Sequence, residues 1–582
     1  MINKFITTNG KDLSPKHPSF PRARRILLLL AVSFFAILAH GYHMGTDDAA
    51  IYAPGIERAA DPSLFPFGSE FFMHHAGLSV FPHLVAALTW VTRLPIEWSM
   101  LLWFGIAQFL LLWAAYEVAR QCFRSERARW ASVGLLAALL NVPVAGTALI
   151  IADPCLTARS LSTPLVLMST ACFLDKRSRA ACFWLMAALL VHPQMAIYGA
   201  GVGMLVVFES RSSGRPRLSE SAPVLPALLL PFLIGVRLHP ARGAYREVLA
   251  SRAYFLVTTW HWWEWFGALA PLIILAACAR PALKSTLPAF SRLAKVLVGL
   301  GLISVVAALL LASDADFAYL LRLQPMRSFH LIYVALFILL GGLLGEYLLS
   351  TRTRRWVLFF GVLSAGMFAL DVVGYPASPH IEWPGVQYQG EWLSSFLWIR
   401  NHTPKDAIFA LDPEYLIKTG VDLHGFRALT ERSMLADQEK DSGAASVFPE
   451  LAESWKEQSS AQSDWAHVSA DRLQRLRTQY GVSWVLLDHP SVLSGLVCPY
   501  SNGELRVCKI VDSGPDEKRF SHSTSSSASS AIWSCRRAGP FGRMTVVRPS
   551  HPKSPSRNSF SEPYGRARRM NGMRCASDTG LN

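Results

Sequence analysis

The chain of 582 residues is 51% hydrophobic and only 17% charged, with a mean hydropathy of +0.27. That is too apolar for a soluble protein of this length and reads as a polytopic membrane protein. A net charge of +15 suits a nucleic-acid partner, but Lys and Arg fall in short clusters between apolar runs, as cytoplasmic loops require, and nucleic acid is excluded on that ground.

Residues 1–25 are polar and end in Arg22, Arg24 and Arg25, ahead of an apolar run from Ile26 to Gly41. The run closes as LAHGYHM without a small-x-small cleavage site, so it is read as an uncleaved first span with a cytoplasmic N-terminus. The stretch GYHMGTDDAAIY then sets Asp47 and Asp48 where the chain leaves the bilayer. Charge at that depth is costly unless it faces water, protein or substrate, which makes the pair a functional candidate. Either residue would also serve as the cap of a helix DAAIYAPGIERA, with Ile51, Ile56 and Ala59 on one face. The apolar run from Leu78 to Trp90 falls short of the roughly 20 residues needed to cross. Read as a surface helix in a long first outer loop, 42–94, it leaves Arg120, Arg124, Arg127 and Arg129 inside.

Spans follow at 96–119, near 130–150 and at 161–174, with Asp153 and Arg159 in an outer loop and Lys176, Arg177 and Arg179 inside. Residues 180–208 have basic flanks and a break at His192-Pro193, which suits two short tilted crossings or a re-entrant hairpin with its tip at His192. Further spans at 223–238, 262–279, 296–312, 328–349 and 356–374 bring the tally to about eleven. That odd count places everything after Tyr375 outside. Residues 376–512 alternate as a small α/β domain: a helix at EWLSSFLWIRNHTP, strands at AIFAL, RALTE and VSWVLLD, and helices at 447–457 and 469–479. It closes on CPYSNGELRVC, an Asn-Gly hairpin that brings Cys498 near Cys508 for a disulfide in an oxidising compartment. The nine cysteines form no CxxC or zinc spacing, so no soft-metal site is indicated. Residues 513–582, rich in Ser, Arg and Pro, read as a disordered tail. The fold class is thus mostly α: a polytopic transmembrane helix bundle with a small extracytoplasmic α/β domain.

On this topology Asp47, Asp48, Arg159, His192, Arg242, Arg246, Arg252, Arg322, Gln324 and Arg327 all fall on the outer side. An acidic pair supplies a general base or a hard-metal ligand, and arginines supply forked donors to a departing phosphate. Together they describe phosphoryl leaving-group chemistry at the outer membrane surface. Plainer roles exist for several. Arg159 would also snorkel or bond loop carbonyls, His192 would fill a kink, and Trp260, Trp262, Trp263 and Trp265 would form an interfacial belt instead of a sugar platform.

The first span followed by TDDAAIY, the long outer loop with its surface helix, the span LPIEWSMLLWFGIAQFLLLWAAYEVARQCF, the HPQM break and the segment FLWIRNHTPKDAIFAL together resemble bacterial GT-C membrane glycosyltransferases. The resemblance spans about residues 20–510. It implies transfer of a sugar from a polyprenyl-phosphate donor to an extracytoplasmic lipid, glycan or protein acceptor, at a bacterial inner (cell) membrane. It implies a catalytic base at Asp47 or Asp48 and outer-loop arginines at the donor phosphate; a single displacement would invert the sugar carbon, and Arg159, His192, Arg322, Gln324 and Arg327 are the donor-binding candidates on this topology. A divalent cation, Mg or Mn, would sit on Asp47 and Asp48 if one is used. The alternative is a non-enzymatic membrane protein of the same architecture, a lipid or glycan transporter or a non-catalytic component.

Overall fold

Run length separates the crossing helices from the rest. A computed structural model describes residues 21–212, 241–280, 286–313, 315–386, 390–418, 422, 424–488 and 493–511. The expected span at 223–238 and the expected tail at 513–582 lie outside these residues. The helix α1 (Arg22–His40) leads into a loop and then α2 (Ala49–Ala60), α3 (Glu70–Ala76) and α4 (Phe81–Thr92). Helix α5 (Ile96–Cys122) has 27 residues and so rises about 40 Å, more than the ~30 Å hydrocarbon core. Next come α6 (Glu126–Ala137), a two-residue hairpin of β1 (Pro143–Val144) and β2 (Leu149–Ile150), then α7 (Ala158–Leu174), α8 (Ser178–Val191) and α9 (Pro193–Ser212). The bundle closes with α10 (Gly243–Ala250), α11 (Trp262–Cys278), α12 (Pro288–Ser313), 3-10 turns through Ala315–Leu323 and Pro325–Ser328, α13 (Phe329–Leu343) and α14 (Thr353–Gly374).

Among the described residues five helices are long and apolar enough to cross a membrane, or six if α3 and α4, bent by 90°, count as one broken span. The expected count of about eleven is not confirmed among these residues. Part of the difference is physical. The run read as a span at 130–150 stops at Ala137, because Asn141 and Pro143 end the helix and the chain turns into the β1–β2 hairpin. Helices α8 and α11 have only 14 and 17 residues. Helix α8 meets α9 at His192, whose missing helical continuation is set by Pro193, since proline lacks the N–H that the next turn needs.

The remaining chain folds as α15 (Glu391–His402), β3 (Ile408–Ala410), α16 (Phe426–Thr430), β4 (Ser433–Met434), α17 (Lys440–Val447), α18 (Ala452–Ala461), α19 (Ala470–Tyr480), β5 (Trp484–Leu487), β6 (Leu496–Ser501) and β7 (Arg506–Ile510). The sheet order is β4-β3-β5-β7-β6, parallel in its first three strands and antiparallel thereafter, with Phe409 opposite Trp484 and Val485 opposite Cys508. RALTE, expected as a strand, is the helix α16. Its turn ends at Glu431, whose φ is 54°, and the strand is displaced to Ser433–Met434. One hydrophobic core joins this region to the bundle: Tyr42, Tyr52, Ile56, Phe81 and Phe104 pack with Phe396, Phe409, Phe426 and Trp484.

Cys498 and Cys508 are bonded across the β6–β7 hairpin. Closing a loop of ten residues stabilises by about 2–3 kcal/mol in the chain-entropy account. Thiol labelling of the folded protein without reductant should leave both residues unmodified. Labelling of either in the native state would show the bridge is not formed.

Candidate functional site

The loop after α1 is pinned before it reaches the acidic pair. Gly41 has φ 77°, and a Cβ there would stand 2.6 Å from the His380 carbonyl oxygen, so only glycine fits the turn. His43 is fully buried, with Nε2 3.2 Å from Asp371 Oδ2 and Nδ1 3.4 Å from Glu382 Oε1, and Tyr375 stacks on its ring at 3.7 Å. Asn141 and His380 also bond Asp371, at 3.1 and 2.7 Å, and His424 bonds Glu382 at 2.8 Å. Burial alone would lower the His43 pKa, but its hydrogen bonds to Asp371 and Glu382 raise it to about 9. His43 is therefore an imidazolium at neutral pH. It holds the end of α14, the 380–382 segment and the first loop to one another.

Beyond this anchor Asp47 takes φ 48°, a left-handed conformation that few non-glycine residues adopt. Asp48 occupies the position just before α2 but makes no side-chain cap hydrogen bond. The carboxylate points to cations instead. Arg159 Nη2 bridges Asp48 Oδ2 at 3.1 Å and Asp153 Oδ1 at 2.6 Å, while Thr157 donates to Asp153 Oδ2 at 2.6 Å. Thr157 also forms a capping box with Ser160, which starts α7 and fixes Arg159 in its first turn. Lys440, the first residue of α17, places its ammonium against Asp47 Oδ1 and 3.3 Å from Asp48 Oδ1.

The two acids are thereby made unequal. Burial opposes ionisation of Asp48, but Lys440, Arg159 and Arg327 outweigh it and hold this carboxyl well below the usual range. Burial pushes the Asp47 carboxyl up, Lys440 pulls against it, and the charge on Asp48 pushes further, for a net rise. Both oxygens of Asp48 are engaged. Among the described residues no donor bonds the second oxygen of Asp47. The pair does not fit a divalent cation well. An ammonium already stands against both carboxylates, the third acid, Asp153, is saturated by Arg159 and Thr157, and no group of three His, Cys, Asp or Glu is arranged for an ion among the described residues.

Asp47 and Asp48 line a cavity of about 740 Å³ that also receives Arg159, His192, Arg322, Gln324 and Arg327. The seven residues expected as base or donor contacts thus share one space. Arg327 lies 5.2 Å over the Tyr254 ring and Arg322 4.0 Å over Tyr319. Neither has a carboxylate partner among the described residues. Their segment is held rigid: Tyr198 donates to the Leu323 and Gln324 carbonyls at 3.1 and 2.8 Å, and Gln324 is buried with φ 49°. His192 Nδ1 accepts from the Met195 N–H at 3.3 Å, so it both ends the α8–α9 break and lines the cavity. The far wall is apolar, with Ile197, Gly201 and Met204 on α9 and Leu300, Ile303 and Ala307 on α12, each set at one-face helical spacing. Arg252 lines the cavity while bonding Glu439, but Arg242 and Arg246 are exposed elsewhere. None of Trp260, Trp262, Trp263 and Trp265 lines it.

Sequence reasoning missed Lys440, Glu439, Tyr198, Tyr52 and His75 as cavity residues. Tyr52 and His75 face each other at 3.4 Å, and burial lowers the His75 pKa to about 4, leaving it neutral. Tyr52 alone carried a signal, as the fourth residue after Asp48 on the same helical face.

No protein-family model and no curated protein matches the sequence. Among solved structures, the chain is similar to the arabinofuranosyltransferase AftD from Mycobacteria, at a TM-score of 0.48 and 15% identity over 85% of this chain and 42% of that one. It is also similar to the Archaeoglobus fulgidus oligosaccharyltransferase: in the apo form at 0.39 and 10% identity over 80% and 70% of the two chains, and tethered to an acceptor peptide containing the NVT sequon at 0.40 and 12% over 80% and 69%. At these scores and identities the likeness assigns no role to a residue.

The His43 anchor has a pH signature. A folded-state pKa raised from 6.5 to about 9 gives stabilisation that is complete below about pH 6.5 and lost as pH rises through about 9. The melting temperature of the purified protein should fall across that window. His43→Asn should lower it at pH 6 and flatten the fall, and an unchanged profile in the variant would remove His43 from the account.

Proposed function

We propose that the chain is an integral membrane glycosyltransferase that moves a sugar from a polyprenyl-phosphate donor to an extracytoplasmic hydroxyl. The observation that carries this reading is the division of the cavity. An acid with a free oxygen stands on one side, two arginines without a carboxylate partner among the described residues on another, and an apolar wall between α9 and α12 completes it. A ligand with an anionic head and a long apolar tail matches that division, and arginine forks suit a phosphate.

In the step itself, the acceptor hydroxyl gives its proton to the free oxygen of Asp47 as its own oxygen bonds the anomeric carbon. The bond from that carbon to the phosphate oxygen breaks, and its electron pair leaves with the phosphate, where Arg322 and Arg327 stabilise the charge. One displacement inverts the carbon. Asp48 takes no proton in this scheme, because both its oxygens are bonded to cations; it fixes Arg159 and Lys440 around Asp47. Raised above the ordinary carboxylate range, Asp47 is the better proton acceptor of the two, and activity should fall on acidification at a higher pH than an ordinary aspartate would give.

Asp47→Asn should reduce sugar transfer by roughly 100-fold or more while donor binding survives. Arg322→Ala or Arg327→Ala should weaken donor binding by roughly ten- to a hundredfold, the effect of a lost charge-assisted contact of about 1.5–3 kcal/mol. A variant with Asn at both 47 and 48 that keeps full transfer would sink the catalytic assignment and leave a transporter or non-catalytic component.

This reading needs the α/β region outside the cytoplasm and the N-terminus within it, the orientation that the basic clusters between the apolar runs favour. A reporter active only in the cytoplasm, fused after Ile510, should be silent, and a signal there would reverse the topology.

A further inference from the structure

We infer that Lys440 is the built-in cation of this site: its ammonium holds the place between Asp47 and Asp48 that a divalent metal ion would take, so that transfer proceeds without one. The inference rests on the glycosyltransferase reading for its consequence in catalysis, but the placement of the lysine stands on its own contacts. The ammonium touches one oxygen of each acid, and the side chain is 13% exposed.

The surroundings fix Lys440 firmly. A cation in the first turn of a helix opposes the helix dipole, so nothing in the local sequence favours lysine at this position. The turn is nevertheless enforced. Asp437 Oδ1 accepts from the backbone N–H groups of Glu439, Lys440 and Asp441, the first at 2.8 Å and the last at 3.2 Å. Asp441 is gripped by both terminal nitrogens of Arg427, at 2.8 and 2.9 Å. From the bundle side, Arg252 bonds the Gln438 carbonyl at 2.8 Å and the Glu439 carboxylate at 2.8 Å. Three separate segments therefore hold the residue beside the acids.

Charge balance gives the lysine its purpose. Asp47, Asp48 and Asp153 meet two cations in contact, Arg159 and Lys440, which leaves one negative charge among the paired groups, with Arg327 acting on Asp48 from beyond contact. Without Lys440 the adjacent acids would repel and share a proton, as like charges at contact do. Burial works against the charged lysine, yet Asp47 and Asp48 hold its pKa above the ordinary range. Lys440 thus stays an ammonium throughout and neither gives nor takes a proton during transfer. Its reach to Asp47 leaves the second carboxylate oxygen open for the acceptor hydroxyl.

The test uses the full chain in detergent and Mn²⁺ alone as the probe, followed by electron paramagnetic resonance. Wild type should retain no Mn²⁺ at the pair. Lys440→Met, which keeps the stem and removes the charge, should bind one Mn²⁺ at least about tenfold more tightly than wild type, since one positive charge at contact distance no longer competes. Adding Asp47→Asn should abolish that gain, and Lys440→Arg should show none. Sugar transfer by wild type should be unaffected by EDTA. Stoichiometric Mn²⁺ binding by wild type that Asp47→Asn removes, a folded Lys440→Met that gains no Mn²⁺, or EDTA-sensitive transfer restored by Mn²⁺ would each overturn the inference. A wild-type protein that transfers no sugar would defeat the glycosyltransferase reading instead, and the Mn²⁺ titration would still decide the role of Lys440.

Discussion

Three carboxylates packed at the end of an apolar bundle must be matched by cations or they will not stay charged, and the placement of everything around the cavity answers that need. Arg159 lies across Asp48 and Asp153 from the first turn of α7, and Lys440 lies across Asp47 and Asp48 from the first turn of α17. Each cation is itself fixed by a capping arrangement, through Thr157 and Ser160 in one case and Asp437 in the other. Coulomb energy in a medium of low effective dielectric is large enough to order several segments at once, but only where hydrogen bonds satisfy the remaining atoms. The neutral side of the same rule is visible in His75, which burial keeps uncharged.

A second constraint lies behind the first. The acidic pair is useful only if its loop cannot drift, and the imidazolium of His43 between Asp371 and Glu382 supplies that fixity. Glu382 continues to His424, so the anchor crosses from α14 to the α/β region. Together with the shared core of Tyr52, Phe81, Phe409 and Phe426, this makes the sheet part of the site's support.

Much of this was legible where the signal was local. Adjacent aspartates after an apolar run, a His-Pro break and an Asn-Gly hairpin each announce themselves within a few residues. Asp47, Asp48, His192, Arg322, Gln324 and Arg327 were readable for that reason, and the cavity gathers them. What the sequence hid was pairing at long range. Nothing near Lys440 marks it as the partner of Asp47, and a lysine opening KDSGAASV looks like an ordinary solvated charge. His43 likewise reads as one more polar residue in GYHMGT until Asp371 closes on it. Hydropathy also counted too generously: it ran 130–150 together as one span, although Asn141 and Pro143 interrupt the helix, and it took the Leu-Thr of RALTE for a strand where the backbone makes a single helical turn ended by Glu431.

The separation between Asp47 and Lys440 along the chain, 393 residues, sets an order of events during synthesis. At about 5–20 residues per second, the acids wait roughly 20–80 s before their lysine exists. Through that interval the pair has Arg159, and later Arg327, but no cation against Asp47, so it must stay hydrated or hold a proton. The site is therefore completed only after the described crossing helices have been made. A nascent chain halted between Gly374 and Lys440 carries an open, unbalanced acid pair although every described crossing helix has already been made.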